Sequence, residues 1–149
     1  MKPSLHTTAG IAYDRAGPRR DLPVVLLHAG VADRRMWNPL WSALAVERDV
    51  VRLDLRGYGE STTRPHGMLS PVADLLDTLT ELGIDRSHFV GASFGAAVAV
   101  EAALTQPGQV VSLLLSPQVD HSSLSSRRTC ARSSRSRTPH WSEATWAMP

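Results

Sequence analysis

The sequence predicts an α/β domain built on a mostly parallel sheet, and three observations carry that expectation. Apolar runs of strand length alternate with longer segments of helical period. Gly, Pro, Ser and Asp punctuate the junctions between them. The run "PVVLLHAG" at 23–30 is continuously apolar up to its closing glycine, the pattern of a central strand buried on both faces.

The elements follow in order. After the strand at 23–30, "NPLWSALAVER" reads as a helix with Asn38 as N-cap and Pro39 at the first helical position. "DVVRLDLRGYG" at 49–59 is the next strand, leaving through Gly57 and Gly59. "SPVADLLDTLTELG" opens on Ser70 and Pro71 and closes at Gly83, with Val72, Leu75, Leu76, Leu79 and Leu82 on one helical face. "SHFV" is a short strand, "FGAAVAVEAALTQP" a helix stopped by Pro107, and "QVVSLLLSP" a further strand. No internal repeat is present.

From residue 118 this pattern fails, so the expected division is a patterned body over 1–117 and an irregular Arg/Ser-rich tail over 118–149. Eight serines and five arginines follow position 120 without helical or strand period. The formal net charge of +2 hides the same break. Residues 1–120 carry 11 Lys or Arg against 13 Asp or Glu, while the last 29 residues carry five Arg and one Glu. The basic balance belongs to the tail and gives no reason to expect a nucleic-acid partner for the body.

The single cysteine, Cys130, cannot form an internal disulfide, and the first twenty residues lack the apolar stretch of a secretory signal. Both point to the cytoplasm. The most apolar stretch, "VGASFGAAVAVEAAL", contains Glu101 and is too short to span a bilayer, so no membrane association is expected.

The chemistry centres on "FVGASFG" at 89–95. Gly91-Ala92-Ser93-Phe94-Gly95 fits G-x-S-x-G between a strand ending at Val90 and a helix beginning near Phe94. A strand-to-helix turn this tight brings neighbouring backbone against positions 91 and 95, where only glycine fits. It also lifts the Ser93 hydroxyl above the sheet edge, with free helix N–H groups directed at any anion formed there. An ordinary Gly-rich turn with an N-capping serine is the competing interpretation. Other chemistries find less support. Thr62 stands where a dinucleotide site beginning at Gly57-Tyr58-Gly59 needs a third glycine, no Walker lysine follows Gly95, and no ligand spacing suggests zinc. No cofactor is expected.

The order "LLHAG", "MWNPLWSAL", "VVRLDLRGYGES" and "FVGASFGAAVAVEAAL" leading to "QPGQVVSLLLSP" closely resembles the N-terminal half of the α/β-hydrolase superfamily, over about residues 10–117. It looks most like small bacterial enol-lactonases and carboxylesterases. The resemblance implies a partial α/β-hydrolase fold, Ser93 as nucleophile, and an oxyanion hole made by the backbone N–H of Phe94 and of Gly30, with Val31 as second choice. It implies hydrolysis of a small-molecule ester, lactone or thioester through an acyl-enzyme. Asp54, Arg56 and Ser61 in "DLRGYGES" are expected to hold a loop rather than to act in chemistry.

In this family an acid and then a histidine follow the serine along the chain. Asp120 follows a strand after which some relatives place their acid and is the one acid candidate; no histidine stands out. His28 begins the oxyanion loop, His6, His66 and His88 precede the serine, and His121 and His140 fall in the tail. Impaired turnover is therefore expected, and a non-catalytic remnant or binding module keeping the hydrolase sheet is the alternative. A reading-frame shift would explain the tail: GC-rich codons for 129–148 read in another frame can encode an acidic, leucine-bearing stretch of the kind that forms lid helices. A genuine Arg/Ser segment binding RNA or acidic partners accounts for it less well, because it lacks regular repeats and carries only Trp141 and Trp146 for stacking. Strand "VVSLLLSP" is expected to leave an apolar sheet edge open to self-association.

Overall fold

The computed structural model describes residues 5–61 and 70–116. His66, Asp120, His121, His140 and the tail lie outside them. Residues 1–118 form one compact unit.

Six strands make one sheet: β1 (Leu5–His6), β2 (Ala12–Ala16), β3 (Val24–Leu27), β4 (Val50–Leu53), β5 (Ser87–Ala92) and β6 (Val110–Ser116). Their spatial order is β1-β2-β4-β3-β5-β6. The first two pair antiparallel, and β2 runs antiparallel to β4. The contacts β3·β4, β3·β5 and β5·β6 are parallel, so the expected mostly parallel sheet is present. Three helices, α1 (Asn38–Glu47), α2 (Pro71–Glu81) and α3 (Phe94–Thr105), supply the crossovers.

Period-2 alternation in the central strands splits the core between two faces. Val25, Leu27, Val51, Leu53 and Phe89 pack with Val72, Leu75 and Leu79 of α2 and with Val98, Ala99 and Ala102 of α3. Leu26, Val50 and Ala92 pack on the other face with Trp37, Trp41 and Leu44. Both faces of β3 are covered, which is why its sequence is apolar without alternation.

The strongest helical pattern folds as its spacing predicts. Ser70 adopts extended backbone and its hydroxyl accepts from the Ala73 N–H at 3.2 Å, Pro71 opens the helix, and Gly83 follows it at φ +65°. Leu76 and Leu82 complete the apolar face.

Two features differ from the sequence pattern. Asn38 is not an N-cap: its backbone is already helical, because α1 continues from a 3-10 turn over Arg34–Trp37, and its N–H bonds the Arg35 carbonyl. Its side chain instead accepts from Arg52 Nη1 at 2.5 Å. The sequence pattern also assigns nothing before residue 23, where β1 and β2 form. Asp14 and Arg15 have low strand propensity, but each is neutralised by a neighbour. Arg15 grips Asp49 at 3.0 and 2.6 Å, and Asp14 accepts from Arg34 at 3.0 Å and Arg52 at 2.8 Å.

The loops after β3 and β4 are tied by one buried carboxylate. Asp54 is fully buried and accepts from the Arg34 N–H at 2.7 Å, the Glu60 N–H at 2.8 Å and the Arg34 guanidinium. Burial works to lower the Arg34 pKa, but Asp54, Asp14 and Glu60 reverse this and raise it, so the cation persists. Beside it, Arg35 hydrogen-bonds the Asp33 carboxylate and lowers its pKa to about 2. Asp33 caps the 3-10 turn through the Arg35 N–H at 2.8 Å, and its stabilisation, present above the ordinary aspartate range, is lost as pH falls through about 2. Ser61 completes the loop, donating to the Asp54 carbonyl at 2.6 Å and accepting from the Ala12 N–H at 2.9 Å. Arg56 grips Asp74 of α2, with Nε to Oδ2 at 2.6 Å. Asp54, Arg56 and Ser61 thus hold the loop.

No helix among the described residues is long and apolar enough to cross a membrane. Replacing Arg34 by Met strands the Asp54 charge and should lower unfolding free energy by about 3–5 kcal/mol in urea titrations. Adding Asp54→Asn should restore part of that loss, and a single variant within about 0.5 kcal/mol of wild type contradicts the role given to the pair.

Candidate functional site

The loops after β3 and β4 and the turn after β5 emerge at the C-terminal ends of parallel strands, where open α/β sheets hold their ligands. The turn from β5 to α3 is a single residue, Ser93. Its backbone lies at φ 49°, ψ −110°, the one non-glycine residue with positive φ among the described residues. Holding a side chain there costs on the order of 1–3 kcal/mol, so the surroundings must impose it.

The surroundings are visible at the flanking glycines. A Cβ on Gly91 would stand 2.6 Å from the Gly95 carbonyl oxygen and 2.7 Å from Ala96 Cα. One on Gly95 would run into the Leu27 carbonyl and stand 2.6 Å from the His28 carbonyl oxygen. Backbone, not flexible side chain, fills both places. The first turn of α3 therefore lies directly against the end of β3. Ser93 is fixed further by its own N–H, which donates to the Ser116 carbonyl of β6 at 2.9 Å, and by its carbonyl, which accepts from the Ala96 N–H at 3.0 Å.

The same close approach brings Gly30 beside Phe94. A Cβ on Gly30 would stand 3.3 Å from Phe94 Cβ and 3.5 Å from Tyr58 Oη. Phe94 is the first residue of α3, and the first N–H groups of a helix have no intrahelical acceptor. The expected oxyanion positions are therefore neighbours, at the residue following Ser93 and on the facing loop. Val31, the second choice, projects its side chain almost wholly into solvent.

His28 is fully buried, accepting at Nε2 from the Leu55 N–H at 2.9 Å while Nδ1 lies 2.8 Å from the Ala29 carbonyl. A carbonyl can only accept, so Nδ1 carries the proton, and the ring is used up in joining the loops after β3 and β4. His88 Nδ1 lies 2.8 Å from Ser112 Oγ, and His6 Nε2 lies 3.3 Å from the Glu60 carbonyl. All three described imidazoles thus have partners elsewhere. Among the described residues no group of three or more His, Cys, Asp or Glu is placed to share a metal ion.

Two contributors escaped sequence reasoning. Arg34, inside the loop after β3, was not singled out by the sequence and is buried as the counter-ion of Asp54. Tyr58 meets the His28 ring edge-on at 5.0 Å and lies 6.2 Å from the Phe94 ring, between the two loops. The glycines around it gave the only hint: Gly59 has φ +50°, and a Cβ there would stand 2.5 Å from Asp54 Cγ.

Backbone geometry makes opposite forecasts for neighbouring positions. Ser93→Gly should raise unfolding free energy by about 1 kcal/mol by releasing strain. Gly95→Ala should lower it by roughly 1–3 kcal/mol or more. Denaturant titration decides, and a destabilised Ser93→Gly contradicts a strained elbow.

Comparison with known proteins agrees with this arrangement. A model of the Alpha/beta hydrolase family matches residues 24–149. The dihydrolipoyllysine-residue acetyltransferase component of the acetoin cleaving system of Pseudomonas putida is 39% identical over 95 residues, 62% of this chain and 26% of that protein. The 3-oxoadipate enol-lactonase 1 of Acinetobacter baylyi is 32% identical over 98 residues, 65% of this chain and 37% of that one. The solved structure of naproxen esterase from Bacillus subtilis superposes with a TM-score of 0.65 at 28% identity, covering 74% of this chain and 40% of the esterase. The chain thus spans well under half the length of these relatives. With its sheet order, its single-residue elbow and this family match, the chain belongs to the alpha/beta hydrolase family.

Proposed function

We propose that this chain carries the nucleophile and oxyanion site of a serine hydrolase acting on an ester, lactone or thioester. The observation that carries the reading is the strained backbone of Ser93 at the head of α3 with Gly30 packed alongside. The relatives support the substrate class by what they are called: an enol-lactonase, an esterase and an acetyltransferase component all act at an acyl carbon.

In this reading Ser93 Oγ attacks the carbonyl carbon as its proton passes to a base. The carbonyl oxygen takes the negative charge and is held by the N–H groups of Gly30 and Phe94, each worth on the order of 3 kcal/mol of barrier. Collapse expels the alcohol or thiol, or opens the lactone, and leaves an acyl-enzyme that water hydrolyses. Because both donors are backbone groups, one at the head of α3 and one on the loop packed against it, they need little reorganisation as charge develops. The described imidazoles, His6, His28 and His88, are engaged elsewhere and are not proposed as the base, and Asp120 remains the acid candidate.

An alkyl fluorophosphonate tests the nucleophile on the chain as it stands. Attack by Ser93 Oγ on phosphorus expels fluoride and leaves one phosphonyl group, read by intact mass and located by peptide mapping. The expected result is a single adduct at Ser93 that is lost in Ser93→Ala. Absence of labelling, or labelling that survives the substitution, overturns the reading.

A further inference from the structure

The half-buried Tyr58 offers chemistry that the nucleophile and its two backbone donors do not use. Its backbone is satisfied within the loop, the N–H donating to the Leu55 carbonyl at 2.9 Å and the carbonyl accepting from the Ser61 N–H at 2.9 Å. Its ring is pinned against His28. Among the described residues no group hydrogen-bonds its hydroxyl, although nearly every other polar side chain of this loop is engaged: Asp54, Arg56 and Ser61 all are.

That hydroxyl has a definite position. It stands 3.5 Å from the point a Gly30 Cβ would occupy, and that point is 3.3 Å from Phe94 Cβ and 3.7 Å from Phe94 Cγ. The Phe94 side chain and the Tyr58 hydroxyl thus close on the Gly30 backbone, in the space that a side chain at position 30 would need. The hydroxyl therefore stands beside the two residues whose N–H groups are assigned to the oxyanion. A substrate held by those N–H groups has the Tyr58 hydroxyl and the Phe94 side chain as neighbours. Small-molecule sites commonly take this form, with mostly apolar lining and a few placed polar groups that set specificity.

We propose that Tyr58 is a specificity-determining residue whose hydroxyl hydrogen-bonds an oxygen substituent on the acyl part of the substrate. It favours oxo-, hydroxy- or alkoxy-acyl groups over hydrocarbon ones. This rests on Ser93 being the nucleophile. A phenol fixed by its ring contacts loses little freedom on binding, and a site built around it discriminates against analogues lacking the partner oxygen.

Arylboronic acids form a reversible tetrahedral adduct with a serine hydroxyl and provide the test. The probes are 3-hydroxyphenylboronic acid and 3-methylphenylboronic acid, nearly equal in shape and differing in one hydrogen-bonding group. Dissociation constants are measured by NMR titration for wild type, Tyr58→Phe and Ser93→Ala. The phenylalanine variant keeps the ring against His28, and an unchanged affinity for the methyl probe shows that its pocket is intact. The preference for the hydroxy probe over the methyl probe should be three- to tenfold greater in wild type than in Tyr58→Phe. An equal preference in the two proteins, or equal weakening of both probes in the variant, overturns the role of Tyr58 while leaving Ser93 as nucleophile. Failure of both probes to bind wild type more tightly than Ser93→Ala overturns the nucleophile reading and this proposal with it.

Discussion

The site depends on how closely α3 approaches the end of β3. The Leu27 and His28 carbonyls occupy the space that a side chain at position 95 would need, and the first turn of α3 occupies the space needed at position 91. With both positions restricted to glycine, one residue is left to turn the chain from strand to helix, and it must accept φ 49°. The strain at Ser93 follows from packing that cannot relax without separating the helix from the sheet. The same packing sets Gly30 against Phe94, so one contact shapes the turn at Ser93 and brings the two proposed donor positions together.

A second constraint holds the rim of the site. The loop after β3 carries Gly30 and the loop after β4 carries Tyr58, and neither has a regular element to hold it. Asp54 joins them from within, accepting from backbone on both loops and pairing with Arg34. His28 joins them again by accepting from Leu55. Buried charge of this kind adds little net stability against an apolar alternative, but removing one partner is severe, which makes the loop geometry all-or-none. A polar network therefore sets the rim and an apolar core sets the elbow.

How much of this was legible in the sequence depended on whether the cause was local. The α2 helix was readable because its apolar period, Ser70 cap and closing Gly83 all act within one segment. Ser93 was readable because steric crowding selects glycine at fixed offsets from it. Asn38 misled because its capping signal was sound locally, whereas the preceding 3-10 turn had already supplied helical backbone. The β1 and β2 strands were hidden because Asp14 and Arg15 are tolerated only through partners at residues 34, 49 and 52. Arg34 and Tyr58 were hidden for the same reason: each owes its role to residues brought together by the fold, with the glycines beside Tyr58 as the one local hint.

Family membership extends the comparison to proteins much longer than this chain, and the residues matched to the family, 24–149, include β3 to β6, the elbow and the facing loop. The central claim is that these parts form an oxyanion site on Ser93. A crystal structure of the Ser93 phosphonyl adduct measures it most directly. The phosphoryl oxygen should lie about 2.7–3.1 Å from the backbone nitrogens of both Gly30 and Phe94. An adduct whose phosphoryl oxygen points to solvent, with neither nitrogen in hydrogen-bonding reach, would contradict it.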